Sequence, residues 1–234
     1  MKIKLQYIIC FLAGMTLLAS CKYDNYSPPS SKLTGAILYK GDSINVSYNN
    51  VAFQLWQTGF GKLTPINVTV DQNGSYSALL FNGDYKLVFP AGQGPFISLI
   101  DPKTNSDTML VHVQGNTNMG IQVLPYYMIM NPQFSVSDST VNATCKLEKI
   151  ITDSLAQDIQ SVSLYLSKTL FDDSRTSVST TNINGSDIAD MNNIALSATI
   201  PAMTPTQHYI FARIGVKINN VEDMIFSPVV KLEY

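Results

Sequence analysis

The strongest constraint in this sequence is a two-residue apolar period that recurs in short runs and is broken each time by glycine, asparagine, aspartate or proline. Val51, Phe53 and Leu55 alternate with polar neighbours, Ile66, Val68 and Val70 repeat the pattern, and Val141, Ala143, Cys145 and Leu147 carry a third run. A strand sends successive side chains to opposite faces, so this is the period of half-buried strands rather than of helices. Turn formers separate the runs: Gly41-Asp42, Asp71-Gln72-Asn73-Gly74, Asn82-Gly83-Asp84 and Asn219-Asn220. Tyr76 to Phe81 and Tyr85 to Phe89, flanking Asn82-Gly83-Asp84, read as a hairpin. Many short strands between such turns build sheets packed face to face, and 234 residues suffice for two domains of about 100 residues each. The expected fold class is therefore all-β, with two tandem β-sandwich domains.

The first residues follow a different logic. Lys2 and Lys4 precede an apolar stretch from Tyr7 to Leu18. At about a dozen residues it is shorter than the roughly 20 needed for a permanent membrane helix, and it has the layout of a signal peptide. Leu18-Ala19-Ser20-Cys21 then resembles the lipobox of bacterial lipoproteins, in which small residues let a peptidase approach the backbone and the cysteine thiol accepts lipid. Cleavage before Cys21 makes residues 1–20 a signal peptide and Cys21 the lipidation site. Several acyl chains, at about 0.8 kcal/mol per buried CH₂, hold such a protein stably on a membrane. Of the three cysteines, Cys10 leaves with the signal and Cys21 carries lipid, so Cys145 has no partner for a disulfide. Its alternation with Val141, Ala143 and Leu147 places it in a core.

Residues 21–33 form the anchor and a tether containing Ser27-Pro28-Pro29-Ser30-Ser31. The first sandwich is expected over 34–124 and the second over 125–234. The connecting Leu124-Pro125-Tyr126-Tyr127-Met128 is apolar, which predicts domains that pack together with limited mobility.

The search for chemistry is mostly negative. A net charge of −2 supplies no basic field for phosphates, which argues against nucleic-acid binding. Only His112 and His208 could serve a histidine-based catalyst, and no H-E-x-x-H, G-x-S-x-G or Walker-type loop is present. Asp172-Asp173 and Glu222-Asp223 are adjacent pairs expected on loops, and strand neighbours point to opposite faces, which suits no glycosidase couple. Asp71-Gln72-Asn73-Gly74 and Asn182 to Asp187 lack the closing glutamate of an EF-hand. The chain is read as a non-enzyme with no cofactor and no metal site. The side chains suited to a sugar are Trp56, which follows core-facing Leu55 and so points outward, and Phe60, Gln54 and Gln57 near it. The competing role for Trp56 is packing at a domain or sheet edge.

Gly35-x-Ile37, Val51-x-Phe53-x-Leu55, Val70-Asp71-x-x-Gly74-x-Tyr76 and Gly83-x-Tyr85-x-Leu87 together resemble the carboxypeptidase regulatory-like (prealbumin-like) domain. Met203-x-Pro205-x-x-x-Tyr209 before the alternating Phe211 to Val216 resembles the fibronectin type III pattern, in which the tyrosine hydroxyl bonds back to a corner of the backbone. Lipobox, tether and these two modules in this order, with Leu55-Trp56-Gln57 and Leu79 to Tyr85, resemble a two-domain lipoprotein family of Bacteroidetes encoded with SusC/SusD-type glycan-import pairs. Asp24 resembles the acidic surface-export signals of such lipoproteins. The resemblance implies an outer-membrane, lipid-anchored protein at the cell surface. It implies a role either in binding or presenting glycan, or as a structural adaptor on SusC/SusD-like partners without sugar contact. Ser43, Thr108, Ser139 and Ser154 each follow an aspartate in the short O-glycosylation motif of exported proteins of that phylum.

Overall fold

The computed structural model describes residues 27–59 and 62–234, so Cys21, the signal peptide and Phe60 lie outside the described residues. In chain order the first domain carries β1 (Ser31–Tyr39), β2 (Asp42–Ser43), β3 (Ala52–Trp56), β4 (Ile66–Thr69), β5 (Ser75–Leu80), β6 (Gly83–Val88), β7 (Phe96–Ser98), β8 (Met109–Val113), β9 (Asn116–Asn118) and β10 (Ile121–Pro125). One sheet is organised on β1, which pairs antiparallel with β5 and β2 and parallel with β9 and β10, while β7 extends it beyond β10. The facing sheet runs β4-β3-β6-β8, all antiparallel. Phe53, Leu55, Tyr85, Leu87, Val111 and Val113 of the second sheet and Leu33, Ile37, Tyr76, Leu80, Ile121 and Val123 of the first are all buried between them. Phe53 sets its ring edge-on to Tyr76 at 4.9 Å and to Phe89 at 5.7 Å, the geometry that aromatic quadrupoles favour.

The second domain carries β11 (Tyr127–Ser137), β12 (Thr140–Lys149), β13 (Ile159–Ser167), β14 (Ser177–Asn184), β15 (Ile194–Thr199), β16 (Tyr209–Ile218), β17 (Ile225–Phe226) and β18 (Val230–Glu233). β11-β12-β15 faces a sheet in which β14-β13-β16 is extended by β17 and β18. Register follows the apolar period, because a slip of one residue would turn every core side chain to water. Val141 pairs with Ala198, Ala143 with Leu196 and Cys145 with Ile194, so a smaller side chain faces a larger one in each pair. All six are buried, and burial pushes the Cys145 thiol up to about 11, which keeps it inert.

Several local expectations change. β1 begins at Ser31, so Ser31 to Leu33 belong to the sandwich and not to the tether; Leu33 is fully buried and pairs with Ala78. Pro125, placed at the head of the second domain, ends β10 of the first and pairs with Phe96. Asn82-Gly83-Asp84 is not a hairpin turn: β5 pairs with β1 and β6 with β3 and β8, so the chain crosses here from one sheet to the other. The Tyr85 hydroxyl donates to the Phe81 carbonyl at 2.8 Å across this corner. The Asn82 side-chain oxygen accepts from the Ser31 hydroxyl at 2.5 Å and the Gly115 N–H at 3.0 Å. The hydroxyl-to-backbone corner expected at Tyr209 is thus found at Tyr85, whereas Tyr209 packs edge-on against Phe211 beneath Lys231.

The connector is apolar, as expected, and the surface on which the domains meet combines apolar contact, with the Tyr48 and Phe171 rings 4.5 Å apart, and buried polar and charged groups. Both faces of β13 and β16 are covered: Val162, Leu164, Ile214 and Val216 fill the core, while Tyr165 and Arg213 lie on the opposite face. Gly215 leaves room there, since a Cβ would meet the Phe226 ring at 2.7 Å and the Tyr165 ring at 2.9 Å. Arg213, 1% exposed, sets its guanidinium 3.7 Å from the centre of the Phe226 ring and donates to the carbonyls of Asp172 and, across the junction, Val46. Asp223 accepts from the Asn50 side chain at 3.1 Å and the Gly94 N–H at 2.8 Å. Arg175 bridges its own Asp173 to the Tyr48 carbonyl. Asn45 and Phe226 form an isolated antiparallel bridge between the domains. Thus Asp172-Asp173 and Asp223 do lie on loops, but folding buries all three in the junction.

Two measurements test this packing. A Cβ on Gly35 would meet the Met119 carbonyl oxygen at 1.8 Å and the Tyr76 hydroxyl that bonds it at 2.7 Å. Gly35→Ala is expected to destabilise the protein by about 2–3 kcal/mol, seen as a lowered urea midpoint. Neither carboxylate oxygen of buried Asp172 has a partner, and burial pushes its pKa from the ordinary 3.8 to about 8 against the opposing pull of Arg213. The folded state then holds a proton that the unfolded chain releases, so this group removes stability as pH rises through that interval. Asp172→Asn is expected to raise Tm at about pH 9 and to lose that advantage at about pH 4. A gap that does not vary with pH would count against this account.

Candidate functional site

Trp56 ends β3, where alternation sends Phe53 and Leu55 into the core and Gln54 and Trp56 to the outer face. The register then decides their neighbours. Trp56 lies opposite Lys86 on β6, and Lys86 opposite Leu110 on β8, which puts the three side chains in one row across three strands. Directly opposed side chains stand about 5 Å apart at Cβ, so the row is about 10 Å wide. Gln54 lies beside it, opposite Asn67 on β4 and Val88 on β6. Asp84 and His112 form the next pair after Lys86 and Leu110. Trp56 and Gln54 are half-buried, while Leu110 is 80% exposed.

The polar end of this face is electrostatically coupled. His112 Nδ1 lies 2.6 Å from an Asp84 carboxylate oxygen, and both side chains are exposed. That hydrogen bond first, and the negative charge second, raise the His112 pKa above its usual value. The face thus offers an indole, an exposed leucine, an amide, an ammonium and a histidine–carboxylate pair on one open sheet surface. It can lay an aromatic plane against an apolar face of a ligand and direct hydrogen bonds to its edges. Among the described residues, no group of three or more His, Cys, Asp or Glu side chains is placed to hold a metal ion.

Not every side chain expected at this site reaches it. Gln57 leaves β3 on the opposite side, donates to the Asn82 carbonyl at 3.4 Å and reaches the Tyr85 hydroxyl. It therefore braces the corner between the sheets instead of joining Trp56, because one residue along a strand reverses the side chain. Lys86, Leu110 and the Asp84–His112 pair were not singled out as partners of Trp56. Their outward period was visible in the sequence, but not the adjacency of β3, β6 and β8. Ser43, Ser139 and Ser154 are exposed, on β2, on the turn between β11 and β12, and on the loop before β13; Thr108 is half-buried, just before β8.

Residues 31–124 match the family described as protein of unknown function (DUF3823), N-terminal domain, and residues 127–231 match domain of unknown function DUF3823_C. Comparison with curated proteins returns no match. Among solved structures, a DUF3823 family protein from Parabacteroides merdae is 35% identical, with a TM-score of 0.76 over 88% of this chain and 100% of its own. A DUF3823 family protein from Bacteroides ovatus is 27% identical, with a TM-score of 0.74 over 87% of this chain and 98% of its own. A protein from Bacteroides uniformis, described as a candidate carbohydrate-binding protein, shares the fold at 17% identity, with a TM-score of 0.69 over 88% of this chain and all of its own.

The histidine–carboxylate pair gives a direct check of the face. Asp84→Asn removes the charge and weakens the acceptor that hold the proton on His112, so the imidazole pKa is expected to fall. An NMR titration of His112 measures it, and an unchanged midpoint would show that the two side chains do not meet in solution.

Proposed function

The chain belongs to the DUF3823 family in both of its domains, and from its open Trp56 face we propose that it is a non-catalytic accessory lipoprotein that captures glycan for an outer-membrane uptake system. The observation that carries this reading is the cross-strand row of Trp56, Lys86 and Leu110 with Gln54 beside it. A pyranose ring has an apolar face of C–H groups and a rim of hydroxyls. An indole matches the face, and an amide and an ammonium match the rim, so a flat site can hold an extended sugar chain without enclosing it. The Bacteroides uniformis protein that shares this fold, described as a candidate carbohydrate-binding protein, supports the same ligand class.

In this reading the protein sits on the outer membrane at the cell surface, held by lipid on Cys21, and the lipobox sequence supports that anchor. There it would hold glycan near a SusC/SusD-like transporter and catalyse nothing. A second reading takes the same face differently. Leu110, at 80% exposure, is an apolar side chain on the outer sheet face that a protein partner could cover, which suits a structural adaptor on SusC/SusD-like components without sugar contact.

A polysaccharide and glycan array probed with the purified protein separates the two. Capture is expected, and Trp56→Ala is expected to weaken it by about tenfold or more while leaving Tm within a few degrees, because Trp56 stands outside the core. A blank array combined with co-purification of SusC/SusD-like proteins, lost in Leu110→Lys, would replace capture with the adaptor.

A further inference from the structure

A separate cleft of about 500 Å3 opens beside Tyr126, where the two domains meet. That volume falls within the range of roughly 300–1,000 Å3 typical of small-molecule sites. Its walls come from both domains: Gln93 on the turn after β6, Ile100, Asn105 and Asp107 on the loop before β8, and Asn220 on the turn after β16. The junction holds these walls together, since Asp223 of the second domain accepts from the Gly94 N–H beside Gln93.

Three amides are available here, and the structure engages them only in part. The Gln93 side-chain oxygen accepts from the Ala52 N–H at 2.8 Å, which leaves its NH₂ as a donor. The Asn220 NH₂ donates to the Gln157 side-chain oxygen at 2.9 Å, which leaves its carbonyl as an acceptor. The Asn105 amide keeps both functions for a ligand. Ile100, 60% exposed, gives the rim an apolar wall, and Tyr126 adds a half-buried ring. Among the described residues the cleft is lined by no lysine, arginine or histidine, and Asp107 is the one carboxylate in its wall. This lining disfavours phosphate, sulfate and uronate, and it supplies the mixed donors and acceptors that hydroxyl groups need.

We propose that this interdomain cleft is a binding site for the end of a neutral oligosaccharide, distinct from the Trp56 face. The assignment deepens the glycan-capture reading and rests on it for the source of the ligand, while the ligand's chemistry is argued from the cleft's own lining. The cleft takes a chain end because it is bounded on several sides, whereas the open sheet face accepts the middle of a chain.

Calorimetric titration of the purified protein with short neutral gluco-, xylo-, manno- and galacto-oligosaccharides tests the assignment. Asn105 and Asn220 sit at positive φ, so glycine removes each amide without straining the backbone. The double variant Asn105→Gly, Asn220→Gly is expected to weaken binding by about tenfold or more, and Trp56→Ala to leave it unchanged. Ala91→Trp, on an exposed position of the wall, is expected to block the cleft without touching the core. Should none of these sugars bind, or should they bind the cleft variants as tightly as wild type, the assignment falls. If polysaccharide binding then still depends on Trp56, the sheet face survives the loss of the cleft. If polysaccharide binding on the array is lost in the cleft variants and is unaffected by Trp56→Ala, the cleft stands and the Trp56 face falls.

Discussion

Arg213 holds a positive charge where almost no solvent reaches, and the arrangement of the two domains depends on how that charge is accommodated. Burial lowers its pKa to about 10, which still leaves the guanidinium charged at neutral pH. Moving such an ion out of water costs several kcal/mol unless its donors are used. Arg213 uses them on the carbonyls of Asp172 and Val46, and places its cationic plane over Phe226. One of those carbonyls belongs to the first domain, so a shifted packing that still covered Arg213 would leave a buried charge short of a partner. The bonds from Asn50 and Gly94 to Asp223, and from Arg175 to Tyr48, act in the same direction.

The polar contacts of this junction fix its orientation more sharply than its apolar ones do. Apolar surfaces slide over one another at small cost, whereas a hydrogen bond weakens steeply with angle and distance. The interdomain cleft depends on this, because its amides come from both domains and must keep their spacing to meet one ligand. The Trp56 face does not, since β3, β6 and β8 belong to a single sheet and their register alone sets its geometry. The two surfaces therefore answer to different parts of the structure: one to strand pairing, the other to domain packing.

Much of the fold was legible in local pattern. The run from Val141 to Leu147 became β12 with its apolar side inward, and Val51, Phe53 and Leu55 became the buried side of the strand that turns Trp56 outward. Where reading by pattern went astray, the missing information was the partner strand. Asn82-Gly83-Asp84 has the composition of a hairpin turn, but a turn sequence specifies a change of direction and not which sheet receives the next strand. Ile66 shares the period of Val68 and Val70, yet it opens β4 and is 40% exposed. Gln57 is next to Trp56 in sequence and on the other side of the sheet in space.

By itself the sequence determined the all-β class, the strand period, the core-facing side of Cys145 and the outward direction of Trp56, because each follows from covalent neighbours and a fixed repeat of two. Only the tertiary structure decided that Lys86 and Leu110 would extend the Trp56 row, that Asp172, Asp223 and Arg213 would be buried together, and that Gln93, Asn105 and Asn220 would share one cleft. These groupings bring together residues from 10 to 127 positions apart, and nothing in the local period encodes which strand or loop arrives at a given edge. That choice is made when the sheets pair and the two domains close on Arg213, where burying a charge is tolerable only in the arrangement that satisfies its donors.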